Sequence, residues 1–167
     1  MLNTLYKKKL DDLLALCRRN LGEYNEKLIT DAFKFSLNAH RLDKRASGEP
    51  FIIHPYEVAS IVASEIPLDD ITVAAALLHD VVEDTDIKID EIESRFGQET
   101  AHLVEGVTKL SKFEFSSKKE QQAENFRRMF VAMAQDIRVI VVKLADRLHN
   151  MQTLEHLRAD RQQAIAQ

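Results

Sequence analysis

The sequence predicts an all-α fold, a compact multi-helix bundle, on three observations. Apolar residues recur with a helical period through most of the chain, the four glycines and three prolines fall near proposed helix ends, and no stretch alternates apolar and polar residues long enough to demand a sheet. The 167 residues make one ordinary domain, able to bury roughly 70% of the surface its unfolded chain exposes. Hydrophobic residues at 45% beside charged residues at 30% describe a soluble globular chain rather than a disordered one.

The elements follow in order. A first helix is expected over 4–20, stopped by Gly22, and a second over 25–42, with Leu28, Ala32, Phe35 and Ala39 on one face. Lys44 to His54 forms a loop holding Gly48 and Pro50. Pro55 suits the first turn of the next helix, where its missing N–H has no partner to lose, and that helix runs to Glu65 before Pro67. Asp69 or Asp70 caps a helix over 70–83. Helices over 90–96 and 98–110 are separated by Gly97. Ser111 to Lys119 reads as a mobile loop, followed by helices over 119–134 and 136–153. Ala159 to Gln167 looks like a helix cut short, so the natural protein is expected to continue past it.

Composition narrows the function classes. A net charge of −4 does not mark a nucleic-acid binder, so an anionic ligand needs a local site rather than a basic surface. The single cysteine, Cys17, excludes an internal disulfide, reads as a small packing residue, and fits a reducing cytoplasm. The N-terminus is broken by Lys7, Lys8 and Lys9 and has no apolar core of a signal peptide, and no run approaches the ~18 apolar residues of a membrane span.

The chemistry concentrates at His79-Asp80, inside Ala74-Ala75-Ala76-Leu77-Leu78-His79-Asp80-Val81-Val82-Glu83-Asp84. A bare His-Asp pair means little; the apolar run before it is what gives it weight. That run implies a buried helix, where a His beside an Asp is costly unless both are paired or bound to a metal. Glu83 and Asp84 follow four residues after His79 and Asp80, which stacks the four groups one turn apart. The competing picture, four solvated residues, requires this face to be exposed. Three carboxylates so close repel one another, and a divalent cation is the simplest compensator.

His54, just before Pro55, and Asp146, after the apolar run Val139 to Ala145, complete a candidate shell. Taken alone, His54 also suits a helix cap and Asp146 an ion pair with Arg147. Two imidazoles and two carboxylates suit Mn²⁺ or Fe²⁺ better than the sulfur-rich sites of structural zinc, and leave positions for water and a phosphate oxygen. Glu83 or Asp84 would then orient that water or take its proton. His40, His102 and His156 have no supporting partners and read as surface or core residues. His149 is ambiguous beside the more useful Asn150.

The ordered set His54, His79-Asp80 and Asp146 resembles the H…HD…D signature of the HD superfamily. Arg45-Ala46-Ser47-Gly48-Glu49-Pro50-Phe51-Ile52-Ile53-His54-Pro55 resembles one branch more closely. So do Leu78 to Thr85, Gly106 to Leu110, Gln122 to Arg128, and Gln135 to Met151. That branch is the hydrolase domain of the RelA/SpoT family, and the resemblance covers about residues 25–160 in order. It implies an HD-domain helical bundle that hydrolyses (p)ppGpp, the nucleotide of the stringent response, to GDP or GTP and pyrophosphate. It further implies Mn²⁺ held by His54, His79, Asp80 and Asp146, water activation by Glu83 and Asp84, and guanine packing by Arg45. Asn150 and Thr153 match positions that contact the nucleoside. Relatives in which the HD pair is lost are inactive; this chain keeps every ligand.

Two departures stand out. Ala46 occupies a place where some relatives carry Lys, and the chain stops where relatives continue toward synthetase and regulatory domains. Residues 1–167 therefore read as a single hydrolase domain, an N-terminal piece of a longer bifunctional protein, with a small-molecule nucleotide substrate and no direct nucleic-acid or membrane partner. The alternatives are an HD nucleotidase or phosphodiesterase acting on another nucleotide, which has no need of Arg45 to Gly48, and a switched-off nucleotide-binding module. In the longer protein, Ser111 to Lys119 is a candidate switch over the pocket.

Overall fold

The computed structural model describes residues 3–111 and 135–154, with Arg127 and Val131 as isolated helical positions. Among them the chain is helical, and its single β-feature is an isolated antiparallel bridge between Lys44 and Pro50. The mobile loop expected after Ser111, most of the helix expected over 119–134, the terminal helix over 159–167 and His156 lie outside the described residues.

Helix α1 spans Thr4–Asn20 and buries Leu10, Leu13, Leu14 and Cys17, a stripe at spacings of three and four. Helix α2 spans Glu26–Ala39 and is capped by Asn25, whose side chain accepts from the Leu28 N–H at 3.1 Å. Its most buried residues are Ile29, Ala32, Phe33 and Ser36. Of the face read from the sequence, Ala32 is central, while Leu28, Phe35 and Ala39 lie half-buried at the edges of the core. The stripe is rotated because α2 packs against both α1 and the helix that follows Asp69.

Helix α3 (Ile53–Glu65) carries Pro55 in its first turn, as expected, and His54 beside it, both buried. Helix α4 (Asp70–Leu78) starts on Asp69, whose carboxylate accepts from the Thr72 N–H at 2.7 Å. Every residue from Thr72 to Leu78 is buried, as befits a helix apolar on all sides and wrapped by α2, α3 and the helix after Gly97.

The expected helix over 70–83 is not continuous. Helix α4 ends at Leu78, His79 and Asp80 form a turn, and a single-turn α5 covers Val81–Asp84. The His79 ring donates from Nδ1 to the Ala76 carbonyl at 2.8 Å, taking the acceptor that the Asp80 N–H uses in an unbroken helix. The break leaves His79 buried and turns Glu83 and Asp84 into solvent, so the four groups do not share one buried face.

Helices α6 (Ile89–Phe96) and α7 (Gln98–Ser111) meet at Gly97, whose φ of +88° favours glycine. Helix α8 spans Ile137–Gln152 and is capped by Asp136, which accepts from the Arg138 N–H at 2.9 Å. Arg138 then reaches Asp69 at 2.8 Å, and Asp136 and Glu99 at 2.7 Å each, which ties the starts of α4, α7 and α8 together. Helix α8 also packs against α3, α4 and α7, and buries Val139 to Val142 and Ala145. No helix among the described residues is long and apolar enough to cross a membrane.

Candidate metal centre

Three elements deliver the predicted ligands to one point. The first turn of α3 brings His54, the turn after α4 brings His79 and Asp80, and the second half of α8 brings Asp146. One ligand atom each of His54, His79 and Asp146 lie within 4.8 Å of one another, and all three residues are buried. His54 Nε2 is 3.3 Å from Asp146 Oδ1 and 3.4 Å from Asp80 Oδ2; His79 Nε2 is 3.0 Å from Asp80 Oδ1 and 3.9 Å from Asp146 Oδ1.

The donor set fits a divalent cation. A carbonyl oxygen only accepts, so the bond from His79 to Ala76 places the ring proton on Nδ1 and turns Nε2 toward the carboxylates. That Nε2 is buried and makes no hydrogen bond, since its approach to Asp80 is close in distance but not in hydrogen-bonding geometry. An orphaned buried imidazole nitrogen among two carboxylates and a second imidazole is a ready-made set of N and O ligands for a divalent metal site.

The charges agree with this. Burial opposes protonation of His79, but Asp80 and Asp146 outweigh it, and the group is pushed up to about 9. Burial works against the Asp146 charge too, yet the close approach of His54 and the charges of His79 and Lys143 hold the carboxyl well below the usual range. Asp80 is likewise lowered, by His79 and His54 against its burial. Burial lowers His54 and brings His149 down to about 4, helped there by His54 and Arg45. Without a cation, a proton on His79 therefore balances two buried carboxylates.

Above this point opens a cleft of about 450 Å³. The loop before α3 supplies one wall: Arg45 N–H donates to the Glu49 carbonyl at 2.9 Å, and Gly48, at φ +86°, turns the chain back. The Arg45 guanidinium donates to Asn150 Oδ1 at 3.1 Å and contacts His149 Nδ1 at 3.2 Å. Asn150 in turn donates to Asp146 Oδ1 at 2.6 Å, and Lys143 Nζ reaches Asp146 Oδ2 at 2.8 Å. Thr153 closes the far end, its hydroxyl donating to the His149 carbonyl at 3.1 Å.

Of the predicted site residues, Arg45, His54, Asp80, Glu83, Asp146, Asn150 and Thr153 line the cleft, and His79 is buried behind it. Asp84 is exposed and does not line it; partial shielding and the charges of Asp80 and Glu83 push its carboxyl up.

The sequence reading passed over Lys44 and Lys143, which both line the cleft, and left His149 ambiguous; His149 is buried with its Nδ1 2.8 Å from His54 Nδ1. For Lys143 the spacing was the available signal: Lys143, Asp146, Asn150 and Thr153 recur at three and four residues, on one stripe of α8. Of the other histidines, His102 is exposed, and His40 is buried, stacked on Phe51 and held by Asp43 at 3.1 Å.

Residues 32–167 match the family model described as HD domain. A Synechocystis protein named a probable guanosine-3′,5′-bis(diphosphate) 3′-pyrophosphohydrolase is 55% identical over 163 residues, 94% of this chain and 21% of that protein. The bifunctional (p)ppGpp synthase/hydrolase SpoT of Escherichia coli is 51% identical over 156 residues, 93% of this chain and 22% of that protein. The chain thus spans about a fifth of the length of the curated relatives it matches. The solved structure of a metazoan orthologue of SpoT that hydrolyses ppGpp superposes with a TM-score of 0.67 at 28% identity, covering 86% of this chain and 82% of that one. The resemblance to RelA/SpoT hydrolase domains read from the motifs is borne out. With most of its length matched and its helices arranged as in that orthologue, the chain belongs to the HD domain family.

Proposed function

We propose that this chain is a (p)ppGpp 3′-pyrophosphohydrolase, with Mn²⁺ held by His54, His79, Asp80 and Asp146. The observation that carries the reading is their convergence at the floor of a cleft walled by Arg45, Asn150 and Thr153. The names of the curated relatives and of the solved orthologue support the substrate.

A bound divalent cation lowers the pKa of water and so supplies a nucleophile near neutral pH. The chain's own residues do the rest. Arg45, pinned by Asn150, presents a guanidinium face on which a guanine base stacks. Asn150 and Thr153 line the wall beside the ribose, and Lys44 and Lys143 bring positive charge to the diphosphate. Glu83, at the open edge of the cleft, accepts the proton of the attacking water, with Asp84 behind it. Water adds to the phosphorus of the 3′-diphosphate nearest the ribose, the bond from that phosphorus to the ribose 3′ oxygen breaks, and the 3′ oxygen takes up a proton, so that pyrophosphate and GDP or GTP are released. A cytoplasmic setting, and synthetase and regulatory domains beyond this segment, belong to the same proposal; the greater length of the relatives supports the latter.

The test is direct. The chain is incubated with ppGpp and Mn²⁺, and separately with a panel of ordinary nucleotides. Pyrophosphate and GDP from ppGpp, abolished in Asp80→Ala, are expected. Phosphate from the panel instead would favour a broader HD nucleotidase, and binding of ppGpp without turnover a regulatory module.

A further inference from the structure

The two histidines at the centre have different second partners. His79 hands its Nδ1 proton to a backbone carbonyl, which leaves no choice of tautomer. His54 faces another imidazole: its Nδ1 lies 2.8 Å from Nδ1 of His149, a contact that works only if one nitrogen carries a proton and the other a lone pair. Taken as an isolated pair, the two arrangements are equivalent. They have opposite consequences for metal binding. With the proton on His54 Nδ1, its Nε2 is bare. With the proton on His149 Nδ1, a neutral His54 carries its own proton on Nε2, between Asp80 and Asp146, where a cation needs a lone pair.

Arg45 breaks the symmetry. Its Nη1 stands 3.2 Å from the same His149 Nδ1, and a guanidinium has donors and no acceptor. Were His149 to carry a proton on Nδ1, two N–H groups would face each other there. Arg45 cannot turn away freely, because its Nη2 is held by Asn150 Oδ1 at 3.1 Å, whose amide nitrogen is in turn held by Asp146.

We propose that His149 is a positioning residue of the metal centre: held as an acceptor by Arg45, it fixes the His54 proton on Nδ1 and leaves His54 Nε2 bare for the cation. The inference rests on the metal reading given above and assigns to His149, and to the edge of Arg45, a role separate from substrate contact. The chain Arg45 to His149 to His54 then supports one ligand, and the chain Arg45 to Asn150 to Asp146 a second, from a single guanidinium.

The experiment compares the intact chain with His149→Leu and His149→Asn. Leucine fills the space and removes the acceptor; asparagine restores an oxygen near the position of Nδ1. Mn²⁺ affinity, by calorimetry in the absence of nucleotide, is expected to fall about 10- to 100-fold in His149→Leu and to recover to within a few-fold in His149→Asn. Thermal unfolding of the metal-free variants separates this loss from a folding defect. In the ¹⁵N-histidine spectrum of the Zn²⁺-loaded wild type, His54 is expected to show a protonated Nδ1 with scalar coupling across the hydrogen bond to His149 Nδ1. Unchanged Mn²⁺ affinity in a folded His149→Leu, or a Nδ1 proton found on His149, overturns the inference and leaves the metal reading intact. A wild-type chain that binds no divalent ion overturns both.

Discussion

Arg45 and Asn150, 105 residues apart in sequence, share a hydrogen bond of 3.1 Å at the mouth of the cleft. The bond orients both side chains. Arg45 can only donate, so the Asn150 carbonyl must face it, and the Asn150 amide is left to donate to Asp146 at 2.6 Å. In the proposed function, substrate contact and metal support therefore pass through one residue. Asn150→Ala is expected to raise the KM for ppGpp and to weaken Mn²⁺ about 10-fold, because Asp146 loses its orienting donor. Steady-state kinetics paired with calorimetry on the same preparation check both effects; a KM effect alone would confine Asn150 to the substrate.

The carboxylates after the His79 turn are expected to divide their labour unequally. Glu83 lines the cleft, whereas Asp84 points to solvent beside it. Glu83→Gln is expected to lower kcat about 10²- to 10⁴-fold, the usual span for a proton acceptor, and to leave Mn²⁺ binding within a few-fold. Asp84→Asn is expected to cost less. Asp80→Ala removes metal and turnover together. The comparison is read from kcat and from Mn²⁺ titrations of the three variants, and equal losses in all three would contradict it.

The pH dependence of the metal-free protein follows from its histidines. His79 is raised to about 9, so its contribution is fully present below the ordinary 6.5 and is lost as pH rises through about 9. His54 and His149 are lowered, the latter to about 4; the unfolded chain binds their protons first, so stability falls as pH drops below 6.5. The Tm of the metal-free chain is thus expected to peak near pH 6.5. Saturating Mn²⁺ displaces the His79 proton and removes the alkaline decline. Scanning calorimetry from pH 5 to pH 9, with and without metal, measures this; identical profiles would argue against a cation at His79.

Gly106 on α7 packs closely against α8: a Cβ added there would sit 2.8 Å from Val139 Cγ2. Gly106→Ala therefore forces the start of α8 outward, at a cost of about 1–3 kcal/mol typical of overpacking. Val139→Ala in the same chain opens the space again. The double variant is expected to be more stable than the sum of the single losses, which a denaturant-based double-mutant cycle measures directly.

What the sequence by itself determined is everything that depends on local spacing. The helical period, the cap at Asp69 and the turn at Gly97 follow from residue type over a few positions, and the helices lie close to where they were read. The residues that converge at the candidate metal centre were legible too, because a histidine and carboxylates inside apolar runs need a compensating charge wherever the chain folds. The break at His79 was not, since it comes from a side chain capturing the Ala76 carbonyl, which hydrophobic pattern does not register. Nor was the role of His149. In one dimension it is one more histidine three residues past Asp146; only the packing of α3 against α8 sets its Nδ1 2.8 Å from His54 and beside Arg45. Hydrogen-bond direction is a property of pairs, and these partners lie 95 and 104 residues apart, so tertiary structure alone decided which nitrogen holds the proton.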